Sequence, residues 1–88
     1  MKKVVKFYAD WCSPCRAYQK HWDKVVLDNV GANIEFISVN IDERDTTGYK
    51  RLVGTIPSIP LTILVEDDEI QKEQLGLMTV EQLKAFAN

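Results

Sequence analysis

The stretch Trp11-Cys12-Ser13-Pro14-Cys15 sets two thiols three positions apart at a point where the sequence changes its periodicity. Before it, Lys2 to Ala9 alternates, with Val5, Phe7 and Ala9 on one face and Val4, Lys6 and Tyr8 on the other, and is rich in strand formers. After it, Cys15, Tyr18, Trp22, Val25 and Val26 recur at helical spacing, which predicts a helix from about Pro14 to Asn29. Pro14 falls in the first turn, where its missing N–H leaves no hydrogen bond unmade, and Gly31 ends the helix. The pair therefore sits at a strand-to-helix junction.

Outward from that junction, Ile34 to Ile41 reads as a second strand, with apolar residues on both faces among the polar Glu35, Ser38 and Asn40, as a central strand covered on each side would have. The polar turn Asp42 to Asp45 follows, then a short helix marked by Tyr49, Leu52 and Val53 between Gly48 and Gly54. Leu61 to Val65 and Ile70 to Leu75, joined by the acidic turn Glu66 to Glu69, read as an antiparallel hairpin. Thr79 and Gln82 form a capping-box pattern ahead of a last helix with Val80, Leu83 and Phe86 on its apolar face. The order is βαβαββα. Its first βαβ is expected to be a right-handed parallel crossover, and the hairpin to extend the same mixed, four-stranded sheet, with helices on both faces.

The 88 residues bound the chain to a single α/β domain spanning 1–88. A content of 45% hydrophobic and 27% charged residues is that of a folded domain rather than a disordered segment. The formal net charge is −2 with no basic block, which argues against nucleic acid as a partner. Lys6 and Asp10 cut the apolar run after Lys2 and Lys3 too short for a signal peptide, and no stretch has the length of a membrane helix. A cytoplasmic monomer with no membrane partner is the expectation.

Two closely spaced cysteines are no disulfide framework, and a bond between them closes too short a loop to add much stability through chain entropy. Reactivity explains them better. A free thiol has a pKa of about 8.5, but Cys12, at the start of the helix, faces unpaired backbone N–H groups and the positive end of the helix dipole, both of which favour its anion. Cys12 is thus the expected nucleophile. Cys15, one turn further on the apolar stripe, suits a resolving thiol that attacks Cys12 and releases a reduced substrate. The same spacing could be half of a zinc site, but His21 is the one other good soft ligand, so a metal site would need carboxylates or a second chain.

The segment Ala9-Asp10-Trp11-Cys12-Ser13-Pro14-Cys15-Arg16 resembles the active site of the thioredoxin family. Asn40-Ile41-Asp42, an Ile-Pro pair before the hairpin, and Gly76 followed by Glu81 to Phe86 resemble later parts of the same family. The resemblance implies a minimal thioredoxin-like fold beginning on the active-site strand, without the family's N-terminal strand and helix. It also implies a protein-disulfide reductase with no bound cofactor, acting on disulfide-containing client proteins, among them ribonucleotide reductase by analogy. Electrons would come from thioredoxin reductase and NADPH or from glutathione. The implied substrate-binding residues are Trp11, Ser13, Pro14, Gly76 and a cis-proline with the residue before it.

Two prolines compete for that last role. Spacing from Asn40-Ile41-Asp42 and the neighbours Val53 and Ser58 favour Pro57, whereas spacing to the Glu66 to Glu69 turn favours Pro60. If Pro57 began the strand, Pro60 would fall inside it and delete a ladder hydrogen bond, so Ile59-Pro60 is preferred. Lys6 stands where the family commonly has a buried aspartate, and Ser38 where it has that acid's lysine partner. The expectation is that the Lys6 ammonium lies near the dithiol, lowers a thiolate pKa and makes the protein more oxidising; the alternative is that Lys6 snorkels to solvent. Trp22, Tyr18 and Tyr49 are read as core, and His21 as a solvated helix residue. Two other functional readings are a glutaredoxin-like enzyme using glutathione and a non-enzymatic module holding metal at a dimer interface.

Overall fold

In the computed structural model, residues 1–43, 48–49 and 57–88 are described. The elements are β1 (Lys2–Tyr8), α1 (Ser13–Asp28), β2 (Ile34–Asn40), β3 (Leu61–Glu66), β4 (Glu69–Leu75) and α2 (Val80–Ala87). The four strands form one sheet in the order β2-β1-β3-β4, with β1 parallel to β2, antiparallel to β3, and β3 antiparallel to β4. The hairpin turns on Asp67 and Asp68, at φ 54° and 66°. Positive φ at both central residues matches the right-handed twist of the paired strands, and aspartate tolerates it better than most residues.

β2 corrects one expectation. Its apolar residues suggested a central strand, but among the described residues it lies at the sheet edge and β1 takes the central place. The pattern misled because both faces of β2 still touch core: Ile34 and Phe36 pack on one side of the sheet, Ile37 on the other. Covered faces do not imply a paired edge.

Alternation along β1 builds two cores. Val4 joins Tyr18, Trp22 and Val25 of α1, Leu64 of β3, Met78, and Leu83 and Ala87 of α2. Val5 and Phe7 join Val39, Leu61, Ile63 and Val65 on the opposite face, where Tyr49 and Ile59 also pack. Both described helices thus cover the same face of the sheet. The helix expected around Leu52 and Val53, on which the idea of helices on both faces rests, lies outside the described residues. The capping box of α2 forms in full, Thr79 Oγ1 accepting from the Gln82 N–H and Gln82 Oε1 from the Thr79 N–H.

Candidate active site

β1 ends at Tyr8, and the chain turns through Ala9 to Trp11 into the first turn of α1. The Cys12 N–H donates to the Ala9 carbonyl at 3.1 Å, which closes the turn. Cys12 is the N-cap of α1, with extended φ/ψ of −89° and 108°, and its Sγ accepts from the Cys15 N–H at 3.2 Å. A cap ordinarily supplied by a hydroxyl or carboxylate oxygen is here supplied by sulfur. Arg16 clamps the loop from outside, donating to the Asp10 carbonyl at 2.7 Å and to Ser13 Oγ at 3.0 Å.

Cys12 and Cys15 are joined by a disulfide. Both are buried, at 5% and 3% exposure, so shelter does not distinguish them. Their surroundings do. Cys12 Sγ receives the Cys15 N–H and lies 3.8 Å from the Ile59 carbonyl oxygen, whereas Cys15 lies one turn inside the helix. The peptide bond between Ile59 and Pro60 is cis. The Gly76 N–H donates to the Pro60 carbonyl at 2.9 Å, bringing Ile59, Pro60 and Gly76 together at this end of the sheet. Gly76 has φ 83°, a conformation that favours glycine. The bond between Ile56 and Pro57 lies outside the described residues.

Trp11 is 67% exposed, yet its indole is fixed: Nε1–H donates to Asp42 Oδ2 at 2.6 Å. Asp42 is in turn held where β2 ends, its N–H bonded to Asn40 Oδ1 at 3.0 Å. Asp42 stood in the sequence only as the start of a polar turn and as part of a matching tripeptide. Nothing local could single it out, because its partner lies 31 positions away.

Lys6 does not snorkel. It has 0% exposure, its ammonium donates to Gln19 Oε1, and it lies 4.9 Å from the ring centroids of Tyr8 and Trp22 and 5.9 Å from that of Tyr18. Aromatic faces attract a cation and replace part of its lost hydration. Burial pulls its pKa down from the ordinary 10.5 to about 8, with the carboxylate of Asp23 pulling the other way. Next to it, burial pushes the Tyr18 phenol up to about 12, opposed by its 2.8 Å hydrogen bond with Thr62 Oγ1. His21 is also not simply solvated: it is half-buried, with Nδ1 2.9 Å from the Met78 carbonyl, to which it donates in that tautomer. No group of three or more histidine, cysteine or acidic side chains suited to a metal comes together among the described residues.

The thioredoxin family model matches residues 1–88, the whole chain. The chain belongs to the thioredoxin family. A thioredoxin of Pseudomonas aeruginosa is 31% identical over 83 residues, covering 94% of this chain and 73% of that protein. A thioredoxin of Mycoplasmoides gallisepticum is 29% identical over 83 residues, covering 94% of this chain and 78% of that one. Among solved structures, StoA from Bacillus subtilis superposes with a TM-score of 0.84 at 22% identity, over 100% of this chain and 83% of that one, a likeness of fold. With its cysteine pair at the thioredoxin active-site position, the chain is a thiol-disulfide oxidoreductase acting on protein disulfides. No helix among the described residues is long and apolar enough to cross a membrane.

Proposed function

We propose that Cys12 is the attacking thiolate, Cys15 the resolving thiol, and the Ile59 to Pro60 loop with Trp11 and Gly76 the surface that receives an extended client segment. The observation that carries this reading is the position of Cys12 Sγ. It faces the backbone N–H of Cys15 at the start of α1 and lies beside the Ile59 carbonyl, a main-chain acceptor that a client's N–H can use. The Cys12 thiolate attacks a client disulfide, forming a mixed disulfide and expelling one client sulfur as thiolate. Cys15, deprotonated, then attacks Cys12, expelling the second client sulfur; the client gains two electrons and the Cys12–Cys15 bond re-forms. Ser13 and Pro14 hold the first turn that keeps the two sulfurs in reach. The protein works as a cytoplasmic monomer and is recharged by an external thiol donor, thioredoxin reductase with NADPH or glutathione.

The assignment is tested by replacing each cysteine in turn and following insulin disulfide reduction and trapping of client. Cys15→Ser accumulates a mixed disulfide through Cys12 and does not turn over, whereas Cys12→Ser forms none. Accumulation on Cys15 in the Cys12→Ser variant alone would reverse the roles. Supplying the oxidised protein with each donor separately identifies the source of electrons.

A further inference from the structure

Among the described residues, Lys6 is the one buried charged side chain, and the dithiol mechanism does not use it. Its surroundings nevertheless lead to the dithiol by two routes. Tyr8, whose ring faces the Lys6 ammonium, also packs against the cluster of Ala9, Cys12 and Cys15. Gln19, which accepts from that ammonium, stands four residues after Cys15, and Asp23 four residues after Gln19, so the three follow one line along α1. Gln19 Nε2–H donates to Asp23 Oδ1 at 2.7 Å. The amide orientation follows from chemistry: a carboxylate can only accept and an ammonium only donate, so Nε2 points outward and Oε1 inward.

We infer that Asp23, acting through Gln19, holds a positive charge on Lys6 beneath the active site, and that this charge draws the Cys12–Cys15 couple toward its reduced form. The inference rests on the reading of Cys12 as the thiolate of that couple. Reduction by an external dithiol breaks the Cys12–Cys15 bond and transfers two electrons; Cys15 takes up one of the donor's two protons, the other goes to solvent, Cys12 remains a thiolate, and the donor's sulfurs join as a disulfide. The reduced site therefore carries one more negative charge than the oxidised site. A cation held in the interior stabilises that charge more than a solvated cation would. Gln19 and Asp23 are positioning residues, with no contact to a reacting sulfur.

Lys6 changes charge near pH 8, and the ionisable groups around it are Tyr8, Tyr18 and Asp23 together with the dithiol; Ser38 and Thr62, its register partners on β2 and β3, do not ionise. The sign of the Asp23→Asn effect separates this device from ordinary surface electrostatics. Removing a nearby negative charge would by itself favour the reduced, more negative site. Acting through Lys6, the same substitution lets the ammonium discharge at lower pH and disfavours it.

The test equilibrates wild type, Lys6→Met and Asp23→Asn with oxidised and reduced dithiothreitol from pH 6.5 to 9 and counts alkylated thiols. Lys6→Met is expected to lower the reduction equilibrium constant about tenfold below pH 8, about 30 mV for this two-electron couple. Asp23→Asn lowers it about threefold near pH 8 and does not lower it at pH 6.5, where Lys6 is charged in either protein and only the direct loss of a negative charge remains. Superposed curves near pH 8, or an increase there in Asp23→Asn, would overturn the inference; Asp23 is exposed, so that variant decides even if Lys6→Met does not fold. A wild type that fails to equilibrate with dithiothreitol would instead defeat the reading of the dithiol itself.

Discussion

The two sides of β1 are made by the same seven residues and obey different rules. Val5 and Phe7 face a mainly aliphatic core from β2 and β3, joined by Tyr49, where burial of apolar area is the main stabilising term. Val4, Lys6 and Tyr8 face α1, where a charged amine is as fully buried as Phe7. That side tolerates polar groups because those that are buried have partners: the ammonium has Gln19 and aromatic faces, and the Tyr18 hydroxyl has Thr62. Among the described residues no buried side-chain nitrogen or oxygen lacks a hydrogen bond. An apolar face tolerates loss of volume poorly, while a polar buried cluster tolerates loss of one partner poorly.

The contrast can be broken from the apolar side first. Phe7→Ala removes a fully buried ring and is expected to destabilise the fold by about 3–5 kcal/mol, read as a lower urea midpoint. On the other side, the Lys6 effect depends on pH. Lys6 binds a proton up to about pH 8 in the folded chain but up to about 10.5 when unfolded, so the unfolded state holds more protons between those values. Stability contributed by this group therefore rises with pH across that window, by on the order of 3 kcal/mol. Lys6→Met removes the rise, and urea titrations of the two proteins at pH 7 and pH 10 measure it. An unchanged pH dependence in Lys6→Met would mean that the ammonium is not desolvated.

Smaller effects sharpen the comparison. Tyr18→Phe leaves Thr62 Oγ1 buried without its partner and is expected to destabilise by about 2 kcal/mol, whereas Tyr18→Phe combined with Thr62→Val recovers most of that loss. Thr79→Ala removes the N-cap of α2, which lies over the same face, and lowers stability by about 1 kcal/mol. Thermal denaturation resolves both.

The strand-to-helix junction, the helix stripe through Tyr18 and Trp22, the acidic hairpin turn and the capping box were all legible in the sequence, because each is written in residues a few positions apart. The edge position of β2 was not, since apolar faces report covering layers and say nothing about which edge is paired. His21 looked solvated because its partner, the Met78 carbonyl, is a main-chain atom 57 positions away. Lys6 could be recognised as out of place but not located.

By itself, the sequence determined that Cys12 begins a helix and Cys15 follows one turn later, since periodicity and the position of Pro14 are local properties. Only the tertiary structure decided what lies around them: the Ile59 carbonyl beside Cys12, Asp42 fixing the exposed Trp11, and Lys6 enclosed between Tyr8, Trp22 and Gln19. Those contacts join residues that are distant along the chain, and the energy of a buried charge depends on every neighbour the fold brings to it.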